Sequence, residues 1–98
     1  MSLAAEYSSA FQRDIKRLKK KHMDMGALRE VISLVLENTT EAQQVLRQRH
    51  RMHTLKGEWL GSQECHIANA GDWLLIWRED KEIAYFQRTG THDQLCRK

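Results

Sequence analysis

At 98 residues the chain has room for one hydrophobic core and not for two. Its 30% charged and 41% hydrophobic residues exclude a globally disordered chain, and no uninterrupted apolar run exceeds the five residues from Trp73 to Trp77, too few to span a bilayer. The net charge of +3 is modest, but six Lys or Arg stand against one Asp between Phe11 and Lys21, so one short segment is built to attract a polyanion or an acidic partner.

The opening Met1-Ser2-Leu3-Ala4-Ala5-Glu6 lacks both the basic and the apolar region of a secretion signal. Ala4 to Ser8 reads as a short edge strand. Ser9, with Gln12 three positions on, is a capping-box helix start. Phe11, Ile15 and Leu18 then form an apolar stripe, and Arg13, Lys16, Arg17, Lys19, Lys20 and Lys21 fill the remaining faces. Asp24 opens a second helix in which Met25, Leu28, Val31, Ile32, Val35 and Leu36 keep helical spacing, ending near Asn38-Thr39-Thr40. Thr40-Glu41-Ala42-Gln43 repeats the capping pattern and predicts a short further helical stretch.

After Met52 the texture becomes strand-like, with glycines at 57, 61 and 71 and tryptophans at 59, 73 and 77. Three strands are expected, around Glu64 to Ala68, Trp73 to Arg78 and Glu82 to Thr89, with Glu79-Asp80-Lys81 joining the last two as a hairpin. Trp73-Leu74-Leu75-Ile76-Trp77 is apolar on both faces, which marks a central strand. Helices followed by antiparallel strands predict a single α+β domain over residues 1–98. Two N-terminal helices would pack on one sheet face and leave the other to a ligand.

The last strand runs into Arg88-Thr89-Gly90-Thr91-His92. Gly90 takes positive φ at no steric cost, so a rigid element ends in a guanidinium and an imidazole four positions apart. That pair suits phosphate chemistry: the guanidinium offers forked donors to phosphate oxygens, and the imidazole titrates near neutrality. His53 precedes Leu55-Lys56-Gly57, His66 lies on a strand on the side of Glu64 rather than of Cys65, and Asp72 opens the central strand. Chemistry by these residues requires that distant strand ends meet at one sheet edge. Cys65, His66, His92 and Cys96 are zinc-ligand types, but no C-x-x-C or H-x-x-x-H pair exists, and adjacent Cys65 and His66 point opposite ways in a strand. Neither cysteine has an activating context for a thiol nucleophile. Two cysteines are too few for a disulfide scaffold and fit a reducing cytosol.

The stretches His53-Thr-Leu-Lys-Gly-Glu-Trp-Leu-Gly, Glu64-Cys-His-Ile, Asp72-Trp-Leu-Leu-Ile-Trp and Arg88-Thr-Gly-Thr-His-Asp-Gln-Leu, in this order and spacing, resemble the YafQ branch of the RelE-type bacterial toxins. The likeness extends to the basic first helix, the Lys-Lys-His-Met-Asp-Met segment at 20–25 and the second apolar helix. It implies a cytoplasmic, ribosome-dependent mRNA endonuclease of a type II toxin–antitoxin pair, held inactive by a cognate antitoxin. In such enzymes the RNA's 2′-hydroxyl attacks the adjacent phosphate, leaving a 2′,3′-cyclic phosphate and a 5′-hydroxyl, with no metal or other cofactor. Carried over by position, His53, His66, Asp72 and His92 are the implied catalytic residues. His92 would be the general acid, His53 or His66 the base, and Asp72 the group that orients a histidine. Arg88 would steady the phosphate, and Lys16, Lys19 and Lys20 would grip the RNA or ribosomal RNA backbone.

Two departures from the family pattern stand out. The connection His66-Ile-Ala-Asn-Ala-Gly-Asp72-Trp is longer by two residues than the usual H-x-x-P-D-W and lacks its proline, which threatens to displace Asp72. Cys96 stands where an aromatic commonly closes the motif, a change that bears on base stacking. Both keep an alternative in view, a catalytically weak homologue that binds antitoxin or ribosome and acts as a corepressor. A third reading, a basic RNA-binding protein without chemistry, accommodates the charge but not the histidines.

Overall fold

A computed structural model describes residues 2–67 and 72–95. Ala4–Tyr7 forms β1, followed by α1 (Ser9–Lys20), α2 (Met25–Glu37) and α3 (Thr40–His50). The sheet is completed by β2 (His53–Thr54), β3 (Gln63–His66), β4 (Leu74–Glu79) and β5 (Ile83–Gly90), with a short 3-10 turn at Gly57–Trp59. The strands lie in the order β1-β5-β4-β3-β2; β1 runs parallel to β5 and the other pairs are antiparallel. This is the expected α+β arrangement, with the short third helical stretch present as a full helix.

Local chemistry sets the helix starts, in two cases one residue earlier than the capping-box spacing predicted. Ser8, not Ser9, caps α1: its backbone N–H is still paired to Phe86 O as a continuation of β1, and its Oγ accepts from Phe11 N–H at 2.9 Å. Asp24 caps α2 through the N–H groups of Gly26 and Ala27, as expected. Thr39, not Thr40, caps α3 by accepting from Ala42 N–H at 3.0 Å. The stretch read as a short helix is an eleven-residue one. Asn38 and Arg51, both left-handed at φ 55°, end α2 and α3 and turn the chain toward the next element.

Phe11 and Leu18 of α1, Leu28, Val31 and Val35 of α2 and Leu46 of α3 pack against Cys65, Leu75, Trp77, Ala84 and Phe86 on one sheet face. The opposite face is not wholly open. Leu74 and Ile76 point into it and are covered by Leu55, Leu95 and Trp59, a second small core. Full burial of each aliphatic chain contributes about 1.5–3 kcal/mol, so this cover anchors the segments on either side of the site. β2, too short to carry a strand pattern, was missed by sequence reasoning; Ala68, expected to end β3, lies outside the described residues.

A bulge decides the direction of the last strand. Trp77 pairs with Phe86 but Ile76 pairs with Arg88, so Gln87 is the extra residue. In a regular strand Phe86 and Arg88 would share a side. Here Phe86 faces the helices, and Arg88 is turned to the side of Ile76.

Candidate active site

On that second face the register brings distant residues together. His53 of β2 lies opposite Glu64 of β3, and His66 is two positions further along the same strand, so all three side chains share a side. His53 Nε2 stands 3.2 Å from Glu64 Oε1, and its Nδ1–H donates to Arg51 O at 2.8 Å. The rings of His66 and His92 are 6.3 Å apart, centre to centre, and tilted by 54°. His92 Nδ1 is hydrogen-bonded to Asp72 Oδ1, and the same oxygen accepts the His92 backbone N–H at 3.0 Å. His53, His66, Asp72 and His92 therefore form one cluster. The longer connection before Asp72 does not pull it away.

The electrostatics separate the members. Burial, with Arg51 and the rings of His92 and His53 nearby, holds the His66 imidazole below the usual histidine range, while Glu64 pulls the other way. Asp72 is held below the usual carboxylate range by the backbone N–H and the ring of His92. Burial pushes the Cys65 thiol up, and the side chain sits in the helix-side core, away from the histidines. Among the described residues no group of three His, Cys, Asp or Glu is placed to hold a metal ion, and no helix is long and apolar enough to cross a membrane.

Arg88 is anchored rather than loose. Its Nε donates to Asp14 Oδ2 at 2.8 Å and its Nη2 to Asp14 Oδ1 at 3.1 Å, which ties α1 to β5 where β1 has ended. Asp14 also accepts from Thr89 N–H at 3.0 Å and from Arg17 Nη2 at 2.7 Å. Thr89 Oγ1 accepts from Trp73 Nε1 and donates to Leu74 O, fixing the end of β5 against β4. The exposed basic residues of α1 divide. Lys16 and Lys19 border a 420 Å³ groove between α1 and α2, floored by Phe11, Ile15, Met25 and Ile32, away from Asp14 and Arg17. Lys20 is exposed at the end of α1.

Sequence reasoning missed Glu64 as part of the cluster, although its position two before His66 put it on the same strand face. Asp14 was legible only as the lone acid in a basic segment. His50, buried at the end of α3, donates Nδ1–H to the backbone carbonyl of His66 at 3.0 Å, and no sequence signal marked it. Cys96 lies outside the described residues.

Residues 3–97 match the family of the bacterial toxin of type II toxin–antitoxin systems, YafQ. The chain is 34% identical over 90 residues to the mRNA interferase toxin YafQ of Escherichia coli strain K12, over 92% of this chain and 91% of that protein. The crystal structure of YafQ from Escherichia coli strain BL21(DE3) matches with a TM-score of 0.83 at 32% identity, over 95% of this chain and 97% of that one. A chain of the E. coli DinJ–YafQ toxin–antitoxin complex matches with a TM-score of 0.82 at 33% identity, over 97% of this chain and 98% of that one.

Proposed function

This chain belongs to the YafQ family of toxins of bacterial type II toxin–antitoxin systems, and on that premise we propose that it is an mRNA endonuclease acting on the ribosome. The observation that carries the reading is the gathering of His53, Glu64 and His66 on one sheet face with His92 and Asp72 beside His66, and Arg88 turned to the side of Ile76. Two imidazoles 6.3 Å apart leave an interval that phosphate oxygens bridge with hydrogen bonds of ordinary length.

His66 is the general base. Its depressed pKa keeps the ring neutral and able to take the 2′-hydroxyl proton. Both ring nitrogens of His53 already face oxygen atoms, so His53 acts by position instead. The freed 2′-oxygen bonds to phosphorus, the P–O5′ bond breaks, and His92 delivers its proton to the departing 5′-oxygen. The products are a 2′,3′-cyclic phosphate and a 5′-hydroxyl. Asp72 holds Nδ1 of His92 and so presents Nε2 to that oxygen. Arg88 offers guanidinium donors to the phosphorane charge from a frame that Asp14 keeps rigid. Base, acid and cation all come from the chain, so the attack needs no metal.

Lys16, Lys19 and Lys20 grip the RNA backbone of the ribosome, a salt-sensitive contact. E. coli YafQ forms a toxin–antitoxin complex with DinJ, and a cognate antitoxin binds this toxin likewise. The bond between Asp72 and His92 supports an enzyme over a binding module, because a carboxylate on Nδ1 is what a positioned imidazole acid needs. The test is induced expression in a bacterial host with mapping of mRNA 5′ ends. Growth arrest with cuts in the reading frame is expected, and intact messages at full expression would overturn the reading.

A further inference from the structure

One carboxylate at the end of β5 carries two guanidinium groups. Arg88 takes both oxygens of Asp14, Arg17 takes one of them, and the Thr89 N–H takes the other. The two arginine head groups are thereby brought side by side, both within hydrogen-bond reach of Asp14 Oδ1. Burial would by itself raise the Asp14 pKa, but the hydrogen bonds from Arg88, Thr89 and Arg17 outweigh it and keep the carboxylate ionised.

Arg17 stands where a chain could approach. A Cβ on Gly90 would lie 3.4 Å from Arg17 Nη2 and 2.6 Å from Gln94 Oε1, and Gly90 has φ +154°, so only glycine leaves this strip of backbone bare beside the guanidinium. Gly90 is two residues from His92. Arg17 Nε is buried and has no hydrogen-bond partner, whereas 35% of the side chain remains exposed. The head group is thus held in one orientation with part of its surface toward solvent.

We propose that Arg17 and Arg88, held side by side by Asp14, form a two-guanidinium site for consecutive phosphodiesters of a single RNA strand: Arg88 meets the scissile phosphate and Arg17 its neighbour. This rests on the reading that RNA is cut between His66 and His92. Guanidinium forks suit phosphate oxygens, and backbone contacts of this kind set register without reading sequence. Asp14 is the positioning residue of the pair.

The experiment measures binding of a short 2′-O-methyl RNA, which cannot undergo the cleavage, by fluorescence anisotropy over a range of salt concentrations. One phosphate contact with a single strand contributes about 0.7 to the slope of log K against log salt. Arg17→Gln is expected to lower the slope by about that amount and to weaken binding roughly tenfold at low salt. Arg17→Lys is expected to keep the slope while losing part of the affinity, because a point charge replaces the fork. The Arg88–Asp14 pair survives both changes, so the urea midpoint serves as a check on folding. A wild-type slope in Arg17→Gln overturns the site, as does an equal fall in Lys81→Gln, in the hairpin at the opposite end of β5, which would show a diffuse field. So does an absence of RNA binding by the wild-type protein. Cellular mRNA cleavage that persists in Arg17→Gln with unchanged RNA binding would sink the two-arginine site alone, and loss of all cleavage from the wild type would sink the nuclease reading.

Discussion

His92 and Asp72 are joined twice: one carboxylate oxygen accepts both the ring Nδ1–H and the backbone N–H of the same histidine. The two hydrogen bonds fix the ring and the turn that bears it, leaving Nε2 as the working atom. His92→Ala should therefore remove the proton donor without removing a core group. A fall of about 10²–10⁴ in cleavage is expected, the usual worth of a positioned acid. Because His92 is 44% exposed, stability should stay within about 0.5 kcal/mol. Message cleavage and a thermal melt on the same preparation check both halves, and full toxicity in the variant would refute the assignment.

His66 must be neutral to act as a base, and its folded pKa lies below the ordinary 6.5. Activity should then survive acidification further than an unperturbed histidine allows, with the acid limb of the rate profile below pH 6.5. Glu64 is the neighbour that raises this pKa, so Glu64→Gln should move the limb to still lower pH. Single-turnover cleavage against pH reads the shift. A limb that stays put or moves up would mean that another group is the base.

The sheet, the helix stripes and the composition of the site were legible because each rests on local periodicity or on residue type. Leu74 and Ile76 read as buried for the same reason that Trp73 and Trp77 did. What the sequence could not display was register. The bulge at Gln87 turns Arg88 to the side of Ile76, and two-residue β2 sets His53 opposite Glu64; neither leaves a pattern in the chain. Asp14 shows the same limit. Its burial follows from where β1 stops and exposes the edge of β5, a tertiary fact that no helical period encodes.

Asp14→Ala should cost about 3 kcal/mol in urea unfolding at neutral pH, the low end for a broken buried pair, since Arg17 and Arg88 keep some contact with water. The folded pKa is below the ordinary 3.8, so the carboxylate's contribution is complete above the unfolded value and fades as pH falls through the folded one. Wild type and variant should therefore converge below about pH 4. A gap that stays constant down to pH 2 would show that Asp14 acts by packing and not by charge.

His50 bonds to the backbone of His66 and not to its ring, so its influence on the site runs through the end of β3. The ring is 6% exposed, and the carbonyl it serves would be left without that donor in His50→Phe. An unmade buried bond costs about 1–3 kcal/mol, and a looser strand end widens the range of His66 orientations. His50→Phe should thus lower stability and the cleavage rate together. His50→Asn places an amide N–H where Nδ1–H stood and should recover most of both. Packing alone would predict the reverse order, because Phe fills the volume of the imidazole and Asn does not. Melting midpoints and cleavage rates of the two variants, measured side by side, distinguish a held carbonyl from a filled space.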